Sequence, residues 1–226
     1  MTRIVKAPDE RRSELIAYAQ KLFYSKGYES TSVRDIVDEI GVAKGTFYYY
    51  FDSKTAVLEA VVDELIAQAQ AILQEIVADE TLAAIPKWIQ AFQVVGNWKI
   101  EHKDEMIALL RLLQKDENVL LQHKMWMQVT QVLSPELAKI IAQGVEEGVF
   151  ETEFIQDSAE IALAIAQPLR DTIYDTLLNP DKYDDPAALA WRKITAVQTA
   201  IERVLGAPPG SLPIIDEQTL AAWFED

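Results

Sequence analysis

The sequence predicts an all-α protein, on three observations. Apolar residues recur at i, i+3, i+4 and i+7 in segment after segment. Strand-like alternation and Asn-Gly or Asp-Gly hairpin signals are missing. Breaks fall at Gly, at Pro and at Asn-Pro or Asp-Pro pairs.

The first helix starts near Asp9, after Pro8, and runs to Ser25-Lys26. Leu15, Ile16, Ala19, Leu22 and Phe23 form its apolar stripe, and Gly27 stops it. Ser30-Thr31-Ser32 offers N-caps, and Ser32 stands three residues before Asp35, so either Ser32 or Thr31 can cap the second helix. Val33, Ile36, Val37 and Ile40 give that helix one buried stripe. Gly41 ends it, because the residue after a helix often needs φ > 0. A third short helix, Ala43 to Tyr50, buries Phe47 and Phe51, and Asp52-Ser53 caps the next. The fourth runs from Lys54 to Ala78 with Leu58, Val61, Leu65, Ile72 and Ile76 on its stripe.

Further helices are expected near 81–101, 103–115, 117–131, 135–147, 156–178 and 187–205, with breaks at Pro135, Gly144, Gly148, Asn179-Pro180 and Asp185-Pro186. Pro168 lies inside the 156–178 pattern and should kink it. Ala207-Pro208-Pro209-Gly210 reads as a linker, and Asp216 to Phe224 as a last short helix. The expected division is a helix-turn-helix domain at 1–53, a larger helical body at 54–206 and a tail at 207–226.

Composition narrows the function. The chain has 226 residues, is half apolar, and holds no Cys and two His. A disulfide scaffold, a Cys-ligated zinc site and a thiol nucleophile are therefore excluded. The charged N-terminus does not read as a signal peptide, and apolar runs fall far short of the roughly 18 residues of a membrane span. A cytoplasmic protein without a membrane partner is expected. A carboxylate-bridged metal enzyme needs Glu three residues before His on two helices. Lys99 and Leu120 stand there, before His102 and His123. No Gly-rich phosphate loop or Gly-x-Ser-x-Gly elbow is evident, so no catalytic residue, metal site or cofactor is assigned. A helical metal-dependent enzyme, or an interaction module that has lost DNA binding, remains the alternative.

Net charge is −15, unevenly spread. Residues 1–54 carry nine Lys/Arg against eight Asp/Glu, whereas residues 55–226 carry twelve against twenty-eight. A near-neutral head on an acidic body suits a small nucleic-acid reader. Residues 32–50 have the layout short helix, Gly turn, short helix, in which the second helix of a helix-turn-helix enters the DNA major groove. That helix carries Lys44, Gly45, Thr46, Tyr48, Tyr49 and Tyr50 around Phe47. Three successive tyrosines span about 200° of helix surface, so not all can be buried. Tyr50 falls beside the core positions and Tyr49 opposite them. Tyr hydroxyls donate to phosphates and the rings touch thymine methyls.

The run Thr31-Ser32-Val33-Arg34-Asp35-Ile36-Val37-Asp38-Glu39-Ile40-Gly41-Val42-Ala43-Lys44-Gly45-Thr46-Phe47-Tyr48-Tyr49-Tyr50-Phe51-Asp52-Ser53-Lys54 closely resembles the signature of the tetracycline-repressor (TetR) family, as does the preceding Ala19 to Tyr28. The resemblance covers about residues 10–60. It implies an all-α homodimer that binds a palindromic double-stranded DNA operator and is released by a small-molecule effector held in the body. By position, it implies DNA contacts from Thr31, Ser32, Arg34, Lys44, Gly45, Thr46, Tyr48, Tyr49 and Lys54, with Lys54 on a phosphate. Relatives often carry His where this chain has Tyr50. Arg3, Lys6, Arg11 and Arg12 could form a basic arm.

In the body, aromatic residues and isolated polar groups suit a ligand cavity. Trp98, His102, Met106, Arg111, Trp126 and Tyr174 are the candidate lining. Arg111 stands out between Leu109-Leu110 and Leu112-Leu113, because a guanidinium in an apolar run must snorkel, pair or meet an anion. Ile161, Ile165, Leu169, Ile194, Val197 and Ile201 supply the apolar stripes expected at the dimer interface, although such stripes can equally bury within one chain.

Overall fold

The computed structural model describes residues 7–114 and 118–224, apart from the side chains of Glu105 and Arg170. Arg3 and Lys6 of the expected basic arm lie outside the described residues. Those described form eleven α-helices and no strand. The chain divides into two compact units, Met1–Leu65 with Ala108–Met125, and Ile66–Ile107 with Trp126–Asp226.

The first unit contains α1 (Pro8–Lys26), α2 (Val33–Ile40), α3 (Lys44–Tyr50), the start of α4 (Lys54–Ala78), the end of α6 (Lys103–Leu113) and the start of α7 (Val119–Glu146). Pro8 opens α1, where its missing N–H costs nothing. Ser32 is the residue that caps α2. Its Oγ accepts from the Asp35 N–H at 3.1 Å, and its own N–H donates to Asp35 Oδ2 at 2.7 Å. Gly41 ends α2 in the left-handed region at φ 75°, where a Cβ would strain the backbone. Leu15, Ile16, Phe23, Ile36, Phe47, Phe51, Val57 and Leu58 make the core. Leu112, Leu113 and Leu121 share it. This is why residues 54–65 and 108–125, assigned to the body on sequence, fall in the same unit as the head.

Asp35 is held far below the usual carboxylate range. The Ser32 hydroxyl is the main cause, then the Ser32 N–H and the Lys26 ammonium at 2.9 Å. Ser32→Ala removes the reciprocal cap. It should lower the thermal midpoint of the head by about 2–4 °C, read by circular dichroism. A wild-type midpoint would show that the cap contributes nothing.

The second unit holds the rest of α4, α6 and α7, with α5 (Ala84–Glu101), α8 (Ile155–Ile165), α9 (Gln167–Leu178), a 3₁₀ turn over Pro180–Lys182, α10 (Pro186–Leu205) and α11 (Glu217–Phe224). Its core gathers Trp88, Ile140, Ile141, Phe150, Ile194, Ile201, Leu205 and Leu212. Helix α10 packs on α8, α9 and α11, and α11 also packs on α5.

Four sequence expectations change here. Pro135 does not break a helix, because α7 continues through it. Pro135 and Gln131, whose carbonyl loses its partner, are both exposed, so water can take up the missing bond. The 156–178 pattern is two helices separated by Ala166, with Pro168 in the first turn of α9, where it is tolerated. Gly144 does not stop a helix but lies within α7. The tail is docked, with Leu212 and Leu220 buried. Among the described residues no helix is long and apolar enough to cross a membrane, and no group of His, Asp or Glu could hold a metal ion.

Candidate nucleic-acid interface

Helix α3 is built from one anchor and an exposed face. Phe47 is fully buried, 5.7 Å from the Phe51 ring. With Phe47 fixed, helical geometry turns the neighbouring positions outward. Lys44 and Gly45 are exposed and Thr46 is half-buried. Tyr48 is 48% exposed and Tyr49 77%. The Tyr48 ring meets Phe47 edge-on at 5.5 Å, and Lys44 Nζ lies 5.6 Å from the Tyr48 centroid. Tyr50 turns the other way. It packs against the core and receives Tyr49 edge-on at 4.8 Å. The division between Tyr49 and Tyr50 read from helical spacing therefore holds.

On α2, Ser32 is exposed and the Arg34 side chain projects from the surface, its Nε donating to Asp38 Oδ2 at 3.3 Å. An exposed pair of this length contributes little and leaves the guanidinium able to change partners. Thr31 differs from the expectation. It is buried, and its hydroxyl donates to the Gly27 carbonyl at 2.7 Å and to the Leu22 carbonyl at 3.3 Å. Its side chain seals the end of α1 and is not on the surface.

Lys54 opens α4 just after Ser53, whose Oγ accepts from the Ala56 N–H at 3.0 Å. Its ammonium donates to the Tyr28 carbonyl at 2.7 Å and lies 4.1 Å from the Tyr28 centroid. Sequence reasoning assigned Tyr28 and Thr55 no role, because the contacts that join Tyr28 to Lys54 and to Thr55 are tertiary. Arg12 sits 5.2 Å over the Phe51 ring, and Arg11 pairs with Glu14 within α1. These two expected arm residues are thus bound to the fold.

An exposed surface of hydroxyls, cations and aromatic edges on short helices can meet phosphates and base edges in a groove. Residues 15–61 match the bacterial regulatory proteins of the tetR family, and residues 104–184 match the tetracyclin repressor-like C-terminal domain. The chain belongs to the TetR family. Among TetR-type relatives, it is 25% identical over 187 residues to the HTH-type transcriptional repressor KstR2 of Mycobacterium tuberculosis, covering 74% of this chain and 87% of that one. It is 46% identical over 52 residues to an uncharacterized HTH-type transcriptional regulator of Lactococcus lactis, a match that spans 23% of this chain and 26% of the relative. A TetR-family regulator structure from Pectobacterium atrosepticum shares the fold, with TM-score 0.63 and 20% identity, over 92% of this chain and 100% of that one.

The candidate pocket residues separate. Trp98 and His102 stack at 4.7 Å, and His102 Nδ1 bonds the Trp98 carbonyl at 2.9 Å. Met106 is buried, while Trp126 and Tyr174 are half-buried. These five lie in the second unit. Arg111 is exposed on the part of α6 that belongs to the first unit. Of the three options open to it, the guanidinium takes the surface.

The stripe residues also divide. Leu169, Ile194, Val197 and Ile201 are buried in the chain's own core. Ile165 is half-buried and Ile161 is 46% exposed. Sequence periodicity reports that a stripe is buried, not against what.

Proposed function

We propose that this TetR-family chain is a homodimeric transcriptional repressor that binds a palindromic operator and is released by a small-molecule effector. The observation that carries the reading is Tyr49, exposed beside the buried Phe47 that anchors α3. The relative KstR2 is a transcriptional repressor, which supports the sign of regulation. Residues 1–53, together with Lys54 at the start of α4, read DNA through Ser32, Arg34, Lys44, Gly45, Thr46, Tyr48, Tyr49 and the Lys54 ammonium. Residues 54–206 hold the effector and form the dimer. Two reading helices about 34 Å apart then engage successive major grooves. The effector acts through unequal affinity for the DNA-binding and released states. Stacked Trp98 and His102 offer it an aromatic wall.

Because Leu169, Ile194, Val197 and Ile201 are spent inside one chain, the partner is met by the outward sides of α8 and α10. Ile161 and Ala164 on α8 and Trp191 and Ala196 on α10 are exposed there. Isologous packing of those faces is the proposed dimer contact.

The test is binding to duplex DNA flanking the chain's own gene, measured across salt concentrations. Parent protein should bind with log K falling linearly in log salt. Lys44→Ala should cost about tenfold or more and relax base preference, whereas Tyr48→Ala should weaken all sequences alike. Absence of salt-dependent duplex binding by the parent overturns the reading.

A further inference from the structure

Lys54 breaks a local rule. A cation in the first turn of a helix opposes the macrodipole, whose N-terminal end is positive. The compensation is specific and comes from a residue 26 positions earlier. The Tyr28 carbonyl accepts from the ammonium at 2.7 Å, and the Tyr28 ring lies 4.1 Å below it. The same carbonyl accepts from the Thr31 N–H at 3.1 Å. The Tyr28 hydroxyl shares a hydrogen bond with Thr55 Oγ1 at 3.1 Å. Phe23 holds the other edge of the ring at 5.0 Å in a T-shaped contact. The α1–α2 turn and the first two residues of α4 are thus tied by three contacts through one side chain and its carbonyl.

We infer that Tyr28 is a positioning residue for operator binding, seating the Lys54 ammonium where a DNA phosphate meets it and locking the start of α4 to the turn ahead of α2. This rests on the DNA-binding reading above. An ammonium has three donors, so it can hold the Tyr28 carbonyl and turn another donor to a phosphate when DNA arrives. The ring and the carbonyl fix the direction of the long, flexible side chain before DNA arrives, so less entropy is lost on binding. Tyr28 itself brings no charge to the DNA. Its loss therefore lowers affinity at every salt concentration and leaves the count of neutralised phosphates unchanged.

A double-mutant cycle on the full chain tests this, with operator affinity measured over a range of salt. Tyr28→Leu should weaken binding about tenfold, with the slope of log K against log salt unchanged. Lys54→Met should weaken binding and reduce that slope by about 0.9 for each subunit's lost phosphate contact. In the Lys54→Met background Tyr28→Leu should cost no more than about twofold, because the group it positions is gone. Tyr28→Phe, which keeps the ring and cannot disturb the fold by volume, should fall between parent and Tyr28→Leu. Additive losses in the cycle would mean that Tyr28 merely supports the fold, and would overturn the inference. A parent that binds no duplex overturns the DNA-binding reading instead. The seat is then judged without DNA, by amide exchange. Faster exchange at Thr31, Ala56 and Val57 in Tyr28→Leu supports the lock, and parent-like exchange refutes it.

Discussion

Gly144→Ala should destabilise the second unit by about 3 kcal/mol and lower its thermal midpoint by roughly 6–12 °C. The sign is opposite to the usual one. Alanine for glycine inside a helix normally gains about 1 kcal/mol, by restricting the unfolded chain and exposing less backbone. Here a Cβ at Gly144 would stand 2.1 Å from Phe150 Cδ2 and 2.8 Å from its Cγ. The ring cannot retreat, because Phe150 is buried in the core with Ile140 and Ile141. Nor can the backbone below it. The Gly144 carbonyl accepts from the Val149 N–H at 2.9 Å and from the Phe150 N–H at 3.0 Å, which turns the chain back after α7. Calorimetry of the purified variant reads the effect directly, and a midpoint at or above the parent's would show that the ring finds another place. Phe150→Leu should relieve part of the loss, which separates crowding from any change in helix propensity.

Gly144 also shows why the sequence is legible in some places and not in others. A glycine near a helix end reads as a stop, whereas its reason is a ring six residues later that only a folded chain brings back. The same holds for Pro135, which local rules make a break. It is tolerated because the bond it removes faces solvent. The head follows local rules closely. Ser32 with Asp35, Gly41 after Ile40, and Phe47 between exposed neighbours are all settled within a few residues, and the structure keeps each. Even there Thr31 escapes, since its hydroxyl answers to the carbonyls of Leu22 and Gly27 rather than to α2. In the body, partners are distant. The stripe of Ile194, Val197 and Ile201 is plain in the sequence, but whether it meets this chain or a copy depends on α8 and α9. Arg111 in its apolar run looks interior until one sees that α6 presents Leu110, Leu112 and Leu113 inward and the guanidinium outward.

Glu202→Leu should release the tail. Glu202 is 5% exposed on α10, and its carboxylate collects donors that have no other way into the fold. Oε1 accepts from the Leu212 N–H at 3.1 Å and from Gln198 Nε2 at 2.9 Å. Burial pushes its pKa up. The Gln198 bond and the N–H groups of Gly210, Leu212 and Ser211 push it down and prevail, so the carboxyl sits below its ordinary value of 4.5. Leucine has nearly the same volume but leaves these N–H groups unsatisfied beside the core, at a cost of about 3 kcal/mol in all. That cost falls only on the docked tail, since water takes the bonds once 208–224 is released, so the substitution raises the released population against the burial of Leu212 and Leu220. Limited proteolysis should therefore cut the variant within 207–216 at protease levels that spare the parent, while the rest of α10 stays protected. Glu202→Gln keeps one acceptor oxygen and should lie between the two. The pH dependence follows from the lowered pKa. The parent's tail docking is complete above pH 4.5 and weakens as pH falls through the depressed value, because protonation removes the charge the N–H groups point at. In Glu202→Leu that acid-dependent loss should vanish, and if parent and variant are cleaved alike at neutral pH, the carboxylate does not hold the tail.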